Sequence, residues 1–336
     1  MIRKRNLDPS LVSWIMNNSG LGPGIGDIKY LVPATSSTSQ YRSWLQSMGV
    51  SDGDLFTTIA GAYGAIVANR NDVILAMPGE YTVTEELTWA KSRTALMGLA
   101  GPNVAFQPTT LTTGGLRFTC NTAAVGSIFD FTGDFVNLYG IGTQNTVSNA
   151  GNLGDIKISA RNFYAKACDF RGGQGANQVN AAAGAPIWIP AVAGAGNAAK
   201  LVECKIGSSG NATRTAGAGC IYSVGGAAET FSMELQKCIL SMRAESVTPS
   251  AIILAGAYSA DRYFLLDDCF CYNFSENHGT QPAYVITDSC ATTHDICLKN
   301  SMMKGFTAWC SSVTHCFTNL ANAESEGGRA IAVAVT

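Results

Sequence analysis

Charge is scarce in this chain: Asp, Glu, Lys and Arg make up 14% of its 336 residues, where an ordinary soluble domain carries roughly 25%. A chain so poor in charge is expected to hide part of its surface against copies of itself or a partner. The formal net charge of −2 leaves no excess of cations, which argues against a protein that coats nucleic acid. Long apolar runs are missing too. Hydrophobic residues reach 46%, yet no uninterrupted stretch approaches the roughly 20 residues of a membrane span. No secretory leader is legible either. Met1-Ile2-Arg3-Lys4-Arg5 opens like one, but Asn6, Asp8 and Pro9 interrupt it, and Leu11 to Met16 is too short for its apolar part.

Proline is sparse at 10 against 36 glycines, the balance of an all-β chain with many tight bends. The 11 cysteines are odd in number and scattered, unlike the framework of a small disulfide scaffold. They are expected to be mostly free thiols in a reducing compartment.

What the chain does have is an internal period. Leu201-Val202-Glu203-Cys204-Lys205-Ile206, Leu235-Gln236-Lys237-Cys238-Ile239-Leu240, Leu266-Asp267-Asp268-Cys269-Phe270-Cys271 and Leu298-Lys299-Asn300-Ser301-Met302-Met303 align without gaps, and Ala165 to Phe170 is an earlier copy. From Cys168 the Cys or Ser positions follow at steps of 36, 34, 31 and 32. Small or apolar residues stand at −5, −3, 0 and +2, with Phe163, Ala199, Met233, Phe264 and Ile296 in the first column. Side chains alternate along a strand. The two alternating stretches are out of phase by one residue, so the chain must bend at −2 and −1 to keep all four inside. A second column, Ile187, Ile221, Ile252 and Tyr284, stands 17 residues before each Cys or Ser. Each coil of such a repeat cannot bury its inner face alone and must stack on neighbours. The expectation is an all-β fold, a right-handed parallel β-helix.

Three regions follow. Residues 1–50 lack a core of their own and are expected as an arm. Its candidate contacts are Arg3, Lys4, Arg5, Trp14 and Trp44, the last in an amphipathic patch with Tyr41, Leu45 and Met48. Residues 51–71 are expected to form a capping helix, with Asp52 or Asp54 as N-cap and Leu55, Ile59, Tyr63, Ile66 and Val67 at helical spacing. Residues 72–336 are the solenoid, about eight coils at roughly 33 residues each, ending in a strand at Ala330 to Val335.

The chemistry on offer is thin. The cysteine column reads as buried packing. Cys290, His294 and Cys297, followed by Cys310, His315 and Cys316, offer ligand types in a spacing that matches no zinc pattern, so no metal and no cofactor are expected. Glycan cleavage needs two carboxylates at a controlled separation. Glu203 and Asp268 stand two coils apart at the corner, with Lys237 between them, which reads more simply as a solvated charge ladder. No enzyme is expected.

The Asp72-Val73-Ile74-Leu75-Ala76-Met77-Pro78-Gly79-Glu80-Tyr81 opening, with Leu96-Met97-Gly98-Leu99, the coil repeats and the segments Asn6 to Ser10 and Gly22-Pro23-Gly24 together resemble bacteriophage virion proteins built on pectate-lyase-like β-helices. That resemblance implies a homotrimer made in the host cytoplasm and carried on the virion. The leading expectation is a capsid decoration, or cement, protein on the capsid surface, with the major capsid protein as partner and neither membrane nor nucleic acid involved. The other expectation is a tailspike or tail fibre that binds, or also cleaves, host surface polysaccharide.

Overall fold

The computed structural model describes residues 26–34, 38–99, 115–122, 125–145, 154–173, 175, 179–180, 184–208, 210–224, 232–256, 263–274, 280–290, 295–312 and 316–318, with strand backbone at 324–325 and 328–329. Arg3, Lys4, Arg5, Trp14 and the expected last strand lie outside these residues. Three sheets run the length of the molecule: sheet A with 11 strands, and sheets B and C with eight each. Every pairing within them is parallel, and from Val73 onward strands pair with those one coil before and after them. The chain is a right-handed parallel β-helix whose coils run from sheet A to B to C.

The corner between sheets A and B follows from the phase change in the repeat. Ala167, Glu203, Lys237, Asp268 and Asn300 have φ between 48° and 56°, the left-handed conformation that turns the strand without an inserted loop. Their amides keep the ladder going across the bend: Glu203 N–H donates to the Gln236 carbonyl at 2.8 Å and Asp268 N–H to that of Lys299 at 2.9 Å. The −5 column is in register from Ala199 through Met233 and Phe264 to Ile296. The second column runs Ile187, Ile221, Ile252, but its next member is Ile286 rather than Tyr284. The last full coil reaches its corner in two fewer residues.

The centre of the solenoid is largely apolar. Trp89, Phe118, Phe129, Phe131 and Phe163 fill its N-terminal half, with Phe131 and Phe163 ring centroids 5.1 Å apart. Further on, Cys168, Cys204, Cys238 and Cys269 stack as buried free thiols. Each of the last three donates to a backbone carbonyl of the coil before: Cys204 to Ala165, Cys238 to Leu201 and Cys269 to Leu235, at 3.3–3.5 Å.

The N-terminal end departs from expectation in two ways. The fold does not begin after residue 50: strand Ile28–Leu31 lies in sheet A, pairing with Val73–Ala76 on one side and Leu55–Phe56 on the other. Helix α1, Thr38–Ser47, then packs Leu45 and Tyr41 on the outer face of sheet A, in a second apolar cluster with Tyr30, Val73 and Met97. The capping helix is shorter than its apolar spacing implied. Asp52–Asp54 form a 3-10 turn, because Asp54 is held by Lys29 at 2.6 Å and Leu55–Phe56 is drawn into the sheet. Helix α2, Ile59–Ala65, starts instead at Thr58, whose hydroxyl accepts the Gly61 amide. It does cover the first coil: Ile59, Ala62 and Ile66 join the main core, and Lys91 donates to the carbonyls of Tyr63, Gly64 and Ile66 at its C-terminal end. At the first A-to-B turn, Gly79 (φ 150°) passes so close to Pro33 that a Cβ would sit 2.8 Å from its ring, which explains the Pro-Gly pair there.

Candidate functional site

The outer face of sheet C presents a row of unlike side chains at one coil's spacing. Asp130, Lys157, Trp188, Tyr222 and Ile253 are successive partners in register, each one residue after an inward-facing Phe or Ile. Strand alternation therefore points them outward. Lys157 Nζ lies 2.8 Å from Asp130 and 5.2 Å from the centre of the Trp188 ring. Ser159 donates to the other Asp130 oxygen at 2.7 Å. The Trp188 indole N–H has no hydrogen-bond partner among the described residues. Strands fix the spacing of the row at about 4.8 Å per coil. It offers two part-exposed aromatic surfaces beside a paired acid and base.

A second group of charges lies on the outer face of sheet B. Glu80, Arg117, Gly142, Asp169 and Lys205 are in register. Arg117, Asp169, Arg171 and Gln144 are almost fully buried. Arg171 Nε donates to Asp169 at 2.9 Å and Arg117 donates to Gln144 at 2.8 Å, while the second Asp169 oxygen has no partner among the described residues. Burial first, and then the charge of Arg171, pulls the Arg117 guanidinium below its usual range. Burial does the same to Lys205. Behind this face, Asp155 is fully enclosed and accepts from Thr143 Oγ1 and the Gly172 and Asn145 amides at 2.7–3.1 Å.

Two apolar features reach solvent. Trp44 and Met48, one turn apart at the end of α1, are 51% and 42% exposed. Ile239, Phe270 and Met302 continue the outer column of sheet B beyond Lys205, in register and part-exposed or exposed.

The sequence candidates sit elsewhere. Glu203 and Asp268 occupy the exposed left-handed corner with Lys237 between them, and no described side chain brings the two carboxylates together. Trp44 is exposed at the end of α1. Among the described residues no three His, Cys, Asp or Glu side chains are grouped to hold a metal ion; His294 and His315 lie outside them. Among those residues, too, no helix is long and apolar enough to cross a membrane. The sheet C row escaped sequence reading, although its signal is there: Trp188 and Tyr222 each directly follow an Ile of the second column. Asp130 and Lys157 follow Phe129 and Ile156 in the same way, but the corner after Phe129 has no Cys and Ile156 stands 12 rather than 17 residues before Cys168.

No family model matches the chain, and no curated protein matches it. Solved structures do. A pectin methylesterase in complex with a hexasaccharide is similar at 14% identity and a TM-score of 0.50, over 88% of this chain and 81% of that one. A mutant pectin methylesterase, also in complex with a hexasaccharide, matches at 13% identity and 0.54, over 92% and 94%. ORF18 of Geobacillus virus E2 matches at 13% identity and a TM-score of 0.35, over 76% and 59%. At these identities the likeness is one of fold, a pectin methylesterase-like parallel β-helix. It corrects one expectation: Glu203 and Asp268 make no carboxylate pair for glycan cleavage, which is the ground for expecting no enzyme, yet the fold the chain shares is that of enzymes. The missing motif of one enzyme class is no ground for excluding another.

Proposed function

We propose that the protein is a structural component of a phage particle, a decoration protein that stands on the capsid shell and meets the major capsid protein with its N-terminal end. The observation that carries this reading is the pair Trp44 and Met48. Leu45 and Tyr41 fasten α1 to sheet A on one side, and the other side presents an aromatic ring and a thioether to solvent. Large apolar side chains held so firmly at a surface suit burial against another protein. The row Ile239, Phe270, Met302 suits a contact between copies, in line with a trimer. Quantitative mass spectrometry of purified particles tests the reading. Copies comparable in number to the capsid protein, and reduced several-fold by Trp44→Ala with Met48→Ala, are expected. A handful per particle refutes it.

The sheet C row favours a second reading, a tail component that binds host surface polysaccharide along the solenoid axis. Aromatic faces stack on sugar rings, and the Asp130–Lys157 pair supplies an acceptor and a donor for hydroxyls. Two similar folds hold hexasaccharides. Calorimetric titration with host polysaccharide, repeated with Trp188→Ala, tests it, and the same mixtures should be assayed for bond cleavage. Binding that survives Trp188→Ala removes this site.

A further inference from the structure

The outer column of sheet B has a gap in it. Gly142 stands between Arg117, one coil before, and Asp169, one coil after. The strands of these two residues run about 9.6 Å apart, on either side of a position that carries no side chain. Packing keeps that position bare: a Cβ on Gly142 would lie 2.9 Å from the Leu116 carbonyl oxygen. Lys205 follows Asp169 in the column, and Arg171 reaches Asp169 from two residues further along the same strand.

The charges around this notch do not balance. Arg117, Arg171 and Lys205 surround the one carboxylate of Asp169, while Glu80, at the start of the column, is exposed and accepts from Thr119. Among the described residues Arg117 makes no ion pair, and its hydrogen bond goes to the neutral Gln144. Asp169 is 2% exposed, yet among the described residues only the oxygen facing Arg171 has a partner. Asp130 on sheet C, by contrast, fills both of its oxygens. A buried carboxylate oxygen left bare costs free energy that a bound donor recovers. The surplus of cations calls for an anion, and the bare oxygen calls for a hydrogen on that anion.

We propose that the notch over Gly142 is a binding site for hydrogen phosphate. The phosphate oxygens accept from the Arg117 and Lys205 side chains, and the P–OH donates to Asp169 Oδ1. Arg171 holds Asp169 in place through its other oxygen. Charge and hydrogen together then select among oxyanions. Hydrogen phosphate brings a double negative charge and a hydroxyl. Sulfate brings the charge without the hydrogen, and so does a phosphate monoester above about pH 6, once its second proton is lost. Either would set a bare oxygen against the bare oxygen of Asp169. Neither Trp44 nor Trp188 belongs to this site.

Calorimetric titration of the full-length protein with sodium phosphate, sodium sulfate and methyl phosphate, at mildly alkaline pH and constant ionic strength, tests this. Phosphate is expected to bind once per chain and roughly tenfold tighter than either of the others. Arg117→Gln is expected to weaken phosphate binding by about tenfold or more. Asp169→Asn is expected to abolish the preference, because its amide can donate to sulfate; an Asp169 with a structural role alone would lose stability and leave the preference intact. Should Asp169→Asn fail to fold, the wild-type comparison and Arg117→Gln decide. No binding of phosphate, equal affinity for sulfate, tighter binding of methyl phosphate, full affinity in Arg117→Gln, or a preference that survives in Asp169→Asn overturns the assignment.

Discussion

Asp155 accepts the Gly172 amide at 2.7 Å, tying the start of a sheet C strand to the end of a sheet B strand in the next coil. The carboxyl is fully enclosed. Burial first, with the Asp169 charge adding to it, lifts it to about 6 against three hydrogen bonds that pull the other way. A folded-state value above the unfolded one means that the fold holds the proton more tightly. This contribution to stability is present below the unfolded value and is lost as pH rises through about 6. Denaturant unfolding should therefore show wild type gaining up to about 3 kcal/mol from this group between pH 7 and pH 4. Asp155→Asn should remove that gain; an unchanged pH profile in the variant refutes the assignment.

Asp72 behaves in the opposite sense. It is wholly buried and accepts from the Asp27 and Val67 amides and twice from Arg70, at 2.6–2.8 Å. Burial works to raise it, but those bonds and the Arg70 charge outweigh the effect and hold it below the usual carboxylate range. Its contribution is present above the unfolded value and is lost as pH falls through the lower folded value. Asp72→Ala should cost about 1–3 kcal/mol, since the Asp27 and Val67 amides lose their acceptor while Arg70 stays solvated, and open the N-terminal coil first, seen as faster proteolysis near α2. Cleavage starting elsewhere refutes this.

The thiol column should accept a hydroxyl and refuse bulk. Ser301 already takes its place at the C-terminal end, donating to the Leu266 and Lys299 carbonyls. Cys238→Ser should cost about 1 kcal/mol, and Cys238→Leu about 1–3 kcal/mol from overpacking. Unfolding midpoints measure both, and a reversed order would show that the column has slack.

At the A-to-B corner, Lys237 has φ 52°. Lys237→Gly should leave stability level or raise it by up to ~1 kcal/mol, and Lys237→Val should lower it by about 1–2 kcal/mol. A valine tolerated without loss would mean that the backbone there relaxes.

The repeat was legible because each coil passes the same corner, so Cys204, Cys238 and Cys269 recur with the same inward neighbours. It slipped at Tyr284, where a shorter connection moved Ile286 into register. The N-terminal coil was hidden for a related reason. Ile28–Leu31 and Leu55–Phe56 enter sheet A without the corner that marks other coils, so their sequences carry no column to count from. Periodicity also reports the inside of a solenoid only. The residues that face outward, Asp130, Lys157, Trp188 and Tyr222, follow no repeat, and their alignment appears only once the inner columns are stacked.

From Val73 onward each strand of the three sheets is bonded only to strands one coil away, and the molecule is built like a ruler. Removing or adding a whole coil changes its length by about 4.8 Å and leaves the sides of the remaining coils where they were. The N-terminal end is fixed by the strand Ile28–Leu31 and α2. The length of the molecule is thus a property that evolution can set in whole steps, independently of what the flanks present.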